Sequence, residues 1–484
     1  MVYFSAVRIA SKAQLRRQWM VGRLWHSTSS APKLSPSASG TKTIWGTGAV
    51  IAAGGGIYWL SSKPAGVTRL AVPIIKASTS EEEIPVVSPV KVLDLESANA
   101  KLREQAQSFV FDSADGEQGR LDVVRVASND PVEDEWSMGI GGGIQGEKTL
   151  YAGIMDGHAG WATSKVLKEA LIPYVSSSLG KISFNSPEDD VDAAIKRAFT
   201  NLDNRIMTNA RRAAEASHEP GSAEAIAALA PALAGSCALL TMYEPKSSTL
   251  RTAVTGDSRA VLGSWSAATE TFSAQALSKD QTGFNEEEVK RLNAEHPGEG
   301  NDILDAETGR LLGIAVTRGF GDHRWKWTND FIRYLQSNFY GSAPRPKSKT
   351  PPYMTASPEV TTRRVASSDF VILASDGLWD VMSNEDAVTC VSRWLAARRK
   401  GRPEQTDDIR LTVHTLDDEG FLSYKATPEY FAIEDLDNAA VCLVKNALGG
   451  RRRGLFCGAM TVATPMSRYM RDDITVQVVF FKDP

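Results

Sequence analysis

A group of carboxylates in this sequence stands where apolar runs begin or end. Asp156 follows the run Thr149–Met155, and Asp376 follows the run Phe370–Ala374. Asp257 and Asp472 occupy similar positions; Asp380 follows four residues after Asp376, and Glu133 and Asp134 lie upstream in the stretch PVEDEW. Each of them alone is an ordinary turn residue. Because strand ends are where rigid scaffolds display reacting groups, the set as a whole indicates a site.

The stretch Asp156-Gly157-His158 concentrates this pattern. A turn is the simplest interpretation, since Asp and Gly are common turn residues. The alternative is a reactive site that combines a carboxylate on a strand end, a glycine that allows close approach to the backbone, and a titratable imidazole. Whether acids from elsewhere in the chain meet Asp156 decides between the two.

If the strand ends converge, their like charges repel and must be neutralised. The motifs around Asp156, Asp257, Asp376 and Asp472 contain no Lys or Cys, so divalent hard cations are the natural counter-charge. All-oxygen sites suit Mg²⁺ or Mn²⁺. Two such ions about 3.5–4 Å apart share a water, lower its pKa and stabilise an in-line displacement at phosphorus.

The composition of the 484 residues is that of a globular protein, with 42% apolar and 23% charged residues. The net charge of −4 hides an asymmetry, because residues 1–80 contain ten Lys or Arg and no acid. The remainder therefore holds 44 basic and 58 acidic residues. This balance argues against nucleic acid as a partner, and therefore against a different two-metal hydrolase such as a nuclease.

The N-terminal segment has the character of a targeting sequence. Residues 1–42 are basic and rich in hydroxyl groups, which predicts mitochondrial import; a disordered basic tail is the alternative. Residues 43–60 are uncharged and carry aromatic residues at both ends, which predicts one transmembrane helix in the inner mitochondrial membrane. A cleaved sorting signal is the alternative there. Residues 61–104 are expected to be a linker.

Residues 105–484 alternate between strand and helix patterns, which predicts one α+β domain. The predicted strands are Thr149–Met155, Ser236–Tyr243, Thr249–Thr255, Arg259–Trp265, Phe370–Ala374 and Ile474–Phe481. The predicted helices are Gly160–Leu179, Glu188–Ala214, Asn285–Glu295, Asn384–Arg399 and Leu436–Leu448. Residues 215–235 and 328–352 are expected to be surface insertions, the second of them flap-like.

Five motifs in this order resemble the metal-dependent protein phosphatase 2C family of serine/threonine phosphatases: DGHAG, TGDSRA, RLLGIAVTRGFGD, LASDGLWD and RDDITV. The likeness covers about residues 105–484. ASNDPVEDEW, EVKRLNAEHP and TPPYMTASPEV further resemble the branch that acts on pyruvate dehydrogenase. The resemblance implies a four-layer αββα sandwich, in which helices flank two central, mainly antiparallel sheets and the metal ions lie at one end.

The resemblance also implies roles for single residues. Asp156 should bridge two Mg²⁺ or Mn²⁺ ions, one of which also binds the Gly157 carbonyl. The remaining metal roles are Asp376 and Asp472 for the second ion, Glu133 and Asp134 for bound water, and Asp257 and Asp380 for a third, weaker ion. His158 should be the general acid that protonates the leaving serine or threonine oxygen.

One position departs from the pattern of the family. Many members carry a phosphate-binding arginine where this chain has Asn129, a neutral donor that implies weaker binding of phosphate. The branch that acts on pyruvate dehydrogenase also lacks this arginine. Arg318 is a candidate substitute, and a structural ion pair is the other interpretation of that residue.

The sequence therefore predicts a protein serine/threonine phosphatase that uses metal-activated water on a mitochondrial phosphoprotein, with the E1 component of pyruvate dehydrogenase as the expected substrate. The alternative is a binding module that has kept the fold and lost the chemistry. Basic residues flank the predicted anchor on both sides, so the charge rule does not decide between the matrix and the intermembrane space.

Overall fold

The fold is described from a computed structural model, which covers residues 90–409 and 425–484. The predicted targeting segment (1–42) and anchor (43–60) lie outside these residues, as does most of the predicted linker. Within the two described ranges, no helix is both long enough and apolar enough to cross a membrane.

Two large antiparallel sheets and one small one form the centre of the domain. The strands, in chain order, are β1 (Gln107–Asp112), β2 (Gln118–Val126), β3 (Glu135–Gly142), β4 (Lys148–Met155), β5 (Gly157–His158), β6 (Gly235–Ser236), β7 (Ala238–Glu244), β8 (Thr249–Thr255), β9 (Arg259–Ser266), β10 (Thr271–Ala276), β11 (Phe320–Gly321), β12 (Glu359–Arg364), β13 (Phe370–Ala374) and β14 (Ile474–Phe480). The six-stranded sheet has the order β1-β2-β14-β13-β9-β10, and the five-stranded sheet has the order β12-β8-β7-β4-β3. A three-stranded sheet, β11-β6-β5, joins the segments around His158.

Helices cover the outer faces of the two large sheets. In chain order they are α1 (Leu95–Arg103), α2 (Ala162–Leu179), α3 (Glu188–Ala216), α4 (Ala223–Leu233), α5 (Glu286–Glu295), α6 (Gly300–Ile303), α7 (His323–Lys326), α8 (Asn329–Asn338), α9 (Asp376–Trp379), α10 (Asn384–Lys400), α11 (Ala439–Ala447), α12 (Arg453–Thr461) and α13 (Ser467–Met470). Helix α10 begins as its sequence predicts, because the Ser383 hydroxyl accepts a hydrogen bond from the Asp386 amide.

The alternation of side chains along the strands produces four layers. In β13, Val371 and Leu373 point into the core between the two sheets, while Phe370 and Ile372 pack against the helices α10 and α11. In β4, Leu150, Ala152 and Ile154 likewise enter the central core. Sheets buried on both faces need nearly continuous apolar strands, which is why these runs were recognisable in the sequence.

The predicted strands and helices are confirmed to within a few residues, and three segments differ from expectation. The predicted flap-like insertion at 328–352 begins with the helix α8, whose Ile332 and Leu335 are buried because these apolar residues, three positions apart, share the face that packs on the core.

The predicted linker includes α1, whose Ala98 and Leu102 are buried against the six-stranded sheet, so the packed domain begins before residue 105. The predicted insertion at 215–235 contains the helix α4. Its Ala225, Leu229 and Ala232 are buried, because small side chains allow this helix to pack closely on α3.

Candidate metal centre

Three carboxylates from three strand ends meet at one end of the sheets. Asp156 follows β4, Asp257 follows β8 and Asp376 follows β13. One oxygen from each lies within 4.8 Å of the oxygens from the other two. Two of the strands belong to the five-stranded sheet and one to the six-stranded sheet. Asp156 is therefore part of a site that both sheets build, and a simple turn does not account for it.

Asp156 has few donors to balance its charge. Ser258 Oγ and the Asp376 backbone amide approach Asp156 Oδ2 at 3.5 and 3.4 Å. Burial raises the pKa of Asp156 well above its usual value, and the charges of Asp376, Asp134 and Asp257 raise it further. A group of buried or half-buried, mutually repelling carboxylate oxygens fits a hard divalent cation, so the chemistry of these residues matches Mg²⁺ or Mn²⁺.

Asp472 lies just before β14 and belongs to the same electrostatic cluster. Burial and the charge of Asp376 raise the pKa of Asp472 to about 6, although the Arg468 guanidinium opposes that rise. Asp472 Oδ1 accepts hydrogen bonds from Arg468 Nη1 and from the Asp473 amide. Asp380 lies one helical turn after Asp376, where its amide donates to the Asp376 carbonyl at 2.8 Å.

The loop before β3 brings Glu133 and Asp134 to the site. Glu133 Oε1 accepts a hydrogen bond of 2.6 Å from the Gly160 amide, and Asp134 Oδ2 accepts one of 2.7 Å from Thr475 Oγ1. Burial raises the pKa of both carboxyl groups. Asp473 shapes this loop, because its carboxylate accepts hydrogen bonds from the amides of residues 128, 129 and 133.

Gly157 can only be a glycine in this fold. A Cβ atom at this position would lie 2.3 Å from the Glu133 carbonyl oxygen, which is closer than two such atoms ever approach. The close contact holds the Glu133 loop against β5, where Gly157 pairs with Ser236. Gly157 thus allows the close backbone approach that the sequence suggested. The approach brings the loop of Glu133 and Asp134 next to the segment that carries Asp156.

His158 is oriented by Asp322, a residue that the sequence analysis did not assign to the site. His158 Nε2 and Asp322 Oδ2 are 2.9 Å apart, and Asp322 is almost fully buried. Burial lowers the pKa of His158, but the charge and hydrogen bond of Asp322 outweigh this effect and raise it overall. Asp322 is the last residue of the family motif RLLGIAVTRGFGD. Its place in that motif is the sequence feature that could have identified Asp322 as a site residue.

Asn129 faces acids rather than open space. Its side-chain amide donates to Glu133 Oε2 at 2.8 Å and to Asp473 Oδ2 at 3.3 Å. Both hydrogens of the amide therefore have carboxylate partners. In this arrangement Asn129 positions Glu133, and its predicted role as a ligand of the substrate phosphate would require it to break these bonds.

Arg318 forms a structural ion pair, which was the alternative to its predicted role in binding phosphate. Its Nε donates to Glu288 Oε1 at 3.0 Å, and its Nη1 donates to the Ser357 carbonyl at 2.8 Å. Arg291 Nη2 also donates to Glu288, at 2.9 Å. The predicted phosphate-binding role of Arg318 is not supported, because its guanidinium is already engaged by a buried carboxylate.

The Glu288→Gln variant should be less stable than the wild type by about 3 kcal/mol, because two arginines would lose a buried counter-charge. Burial raises the pKa of Glu288, but the hydrogen bonds from Arg318 and Arg291 outweigh it and lower the pKa to about 2. The ionised Glu288 therefore stabilises the folded protein fully above 4.5, the ordinary pKa of a glutamate, and this stabilisation is lost as the pH falls towards 2. Urea unfolding from pH 7 to pH 3 should show the two proteins converging.

Glu286→Gln on the same helix is the matched control for this experiment. The Glu286 side chain is 89% exposed, so its loss should change the free energy of unfolding by less than about 0.5 kcal/mol. Equal stability of the two variants at pH 7 would contradict the assignment of Arg318 to a structural ion pair.

Comparison with known proteins agrees with this geometry. A family model described as Protein phosphatase 2C matches residues 125–410. A protein phosphatase 2C homolog from Schizosaccharomyces pombe is 38% identical over 378 residues, which cover 75% of this chain and 80% of that protein.

Other relatives carry names that specify a substrate. Mitochondrial [pyruvate dehydrogenase [acetyl-transferring]]-phosphatase 1 from Saccharomyces cerevisiae is 34% identical over 439 residues, which cover 81% of this chain and 74% of that protein. The human protein of the same name is 29% identical over 462 residues, which cover 79% of this chain and 82% of that protein.

Proposed function

The chain belongs to the protein phosphatase 2C family, and on this basis we propose that it is a metal-dependent protein serine/threonine phosphatase that hydrolyses phosphoserine on the E1 component of pyruvate dehydrogenase. The observation that carries the proposal is the meeting of Asp156, Asp257 and Asp376, with ligand oxygens within 4.8 Å of one another. A family member that had lost its chemistry would have no reason to keep clustered, mutually repelling carboxylates.

The residues of the site divide the work of hydrolysis. Asp156, Asp376 and Asp472, with the Gly157 carbonyl, would hold two Mg²⁺ or Mn²⁺ ions, and Asp257 with Asp380 a third. When bound, such ions activate water and neutralise charge on a phosphoryl group. Glu133 and Asp134 orient water at the edge of the cluster. Because Asp322 favours the protonated imidazole, His158 is suited to donate a proton to the leaving serine oxygen.

The substrate proposal is supported by relatives whose names specify pyruvate dehydrogenase and by the targeting character of residues 1–42. Both features agree on the mitochondrion as the location of the protein. Residues 43–60 are proposed to anchor the chain in the inner membrane, as their lack of charge and their terminal aromatic residues suggest. The substrate proposal requires the catalytic domain to face the matrix, where pyruvate dehydrogenase resides, whereas the charges that flank residues 43–60 leave either orientation open.

Release of phosphate by the full-length protein tests the proposal. The substrates are phosphorylated pyruvate dehydrogenase E1 and an unrelated phosphoserine peptide, each with Mg²⁺, with Mn²⁺ and with EDTA. We expect release that needs the metal, with a higher kcat/KM for E1 than for the peptide. Equal rates on both substrates would overturn the substrate assignment but leave the phosphatase assignment in place. A folded protein that releases no phosphate with either metal would overturn both and favour a binding module.

A further inference from the structure

The candidate site lacks an obvious cation for the substrate phosphate. A phosphate monoester carries negative charge and is bound best by the planar fork of an arginine. The amide of Asn129 is occupied by Glu133 and Asp473, and the guanidinium of Arg318 is occupied by Glu288. Neither residue that the sequence analysis considered is placed to meet the phosphate.

Arg468 is a third arginine, and it reaches the carboxylate cluster directly. Its Nη1 contacts Asp472 Oδ1. Burial lowers the pKa of the Arg468 guanidinium, but the charges of Asp472, Glu133, Asp473 and Asp376 outweigh this and raise it. The contact with Asp472 and the partial exposure of its side chain place the guanidinium beside the cluster and within reach of solvent.

The segment that carries Arg468 is fixed against the Asn129 loop. The hydroxyl groups of Thr464 and Ser467 both donate to the Ser128 carbonyl, the first at 2.7 Å. Ser467 and Ser128 directly precede Arg468 and Asn129 in the chain. Arg468 therefore enters the site beside the position at which other family members carry their phosphate-binding arginine.

The guanidinium of Arg468 also has free capacity for a ligand. Across the described residues, its single hydrogen bond is the one to Asp472, which leaves Nε and Nη2 available. The Arg468 side chain is 40% exposed, compared with 12% for Arg318. By contrast Arg259, another arginine at this end of the sheets, uses Nε and Nη2 on Asp280 and Nη1 on Asn384.

A protein substrate can reach Arg468. The short helix α13 and the residue before it expose Met466, Tyr469 and Met470, with relative exposures of 59%, 53% and 42%. These side chains surround Arg468 in the sequence and form an accessible rim. A phosphoserine on a protein surface could thus bring its phosphate to the guanidinium without a rearrangement of the core.

We propose that Arg468 binds the phosphate group of the substrate, with one edge of the guanidinium held by Asp472 and the other directed to the phosphate. Asn129 then acts as a positioning residue for Glu133. The inference rests on the proposed phosphatase function, and it explains how this chain compensates for the missing arginine at position 129.

The test compares Arg468→Gln and Arg468→Lys with wild type in the full-length protein. With saturating Mn²⁺, Arg468→Gln should raise both the KM for the phosphoserine peptide and the inhibition constant of inorganic phosphate by about 10- to 100-fold. Binding of a peptide that carries a non-hydrolysable phosphonate, measured by calorimetry, should weaken by a similar factor. Arg468→Lys should restore part of the loss, because it keeps the charge without the fork.

Arg333→Gln is the matched control, since Arg333 is an exposed helical arginine paired with Asp330 on the remote helix α8. It should behave as wild type in every assay. If Arg468→Gln raises only the Mn²⁺ concentration needed for activity and leaves phosphate and phosphonate binding unchanged, Arg468 merely orients Asp472 and the proposal fails. An inactive wild type would instead indicate failure of the proposed function, which separates the two cases.

Discussion

Replacing Asp156 by asparagine should lower metal-dependent phosphate release by about 1000-fold or more. Ligand oxygens of Asp156, Asp257 and Asp376 lie within 4.8 Å of one another, and the Asp156 carboxylate would help to hold the metal ions. Asparagine keeps the shape of the side chain but removes the charge that holds the ions. The measurement is kcat for a phosphoserine peptide with Mn²⁺ from micromolar to millimolar concentration, so that weaker metal binding and slower chemistry are separated.

The same variant should not be less stable than wild type in EDTA at neutral pH. The raised pKa of Asp156, caused by burial and by neighbouring acids, means that its charged form is unfavourable in the folded protein. Removing that charge should leave the urea midpoint unchanged or higher, and Mn²⁺ should then stabilise wild type more than the variant.

Asp115→Asn provides the control for Asp156→Asn, because it makes the same chemical change in an exposed turn. Asp115 has a φ of 56°, a left-handed conformation that asparagine also adopts. This control should retain full activity. Full activity of Asp156→Asn at saturating Mn²⁺ would show that the carboxylate cluster is not the catalytic centre.

The sequence predicted the sheets and the acids well because both leave strong local signals. Strand β13 is buried on both faces, and its sequence is a continuous apolar run with clear ends. Strand β8 is also buried and is recognisable by its β-branched residues between turn residues, although it includes Arg251. An acid at the end of such a run is visible without any knowledge of the fold. The convergence of Asp156, Asp257 and Asp376 then followed from family motifs, since spacing along the chain does not determine which strands are neighbours.

The partners of the site residues could not be predicted in this way. The pairings of Asn129 with Glu133, of Arg318 with Glu288 and of His158 with Asp322 join segments whose distance in the chain ranges from 4 to 164 residues. Arg468 gave no signal, because an arginine four residues before an acid is usually an ordinary surface pair. Only the fold shows that this acid, Asp472, belongs to the carboxylate cluster.

Replacing His158 by glutamine should lower kcat for a phosphoserine peptide by about 100- to 1000-fold. A serine alkoxide is a poor leaving group, so its oxygen needs a proton as the bond to phosphorus breaks. An aryl phosphate with a leaving group that is stable as the anion needs no such proton. The loss on the aryl phosphate should therefore be much smaller, and a ratio of the two losses near one would contradict a general-acid role. His218→Gln, at an exposed position, serves as the control.

Asp322→Asn tests the same assignment through the pH dependence of the reaction. The charge and hydrogen bond of Asp322 outweigh burial and raise the pKa of His158, so their loss should lower that pKa. Since the protonated imidazole is the active form, the fall in kcat at alkaline pH should begin at lower pH in the variant. Asp322 has a φ of 57°, which asparagine tolerates, so the backbone should be unchanged. If the pH profile of kcat does not shift, the protonation state of His158 does not control protonation of the leaving oxygen, and the general-acid assignment fails.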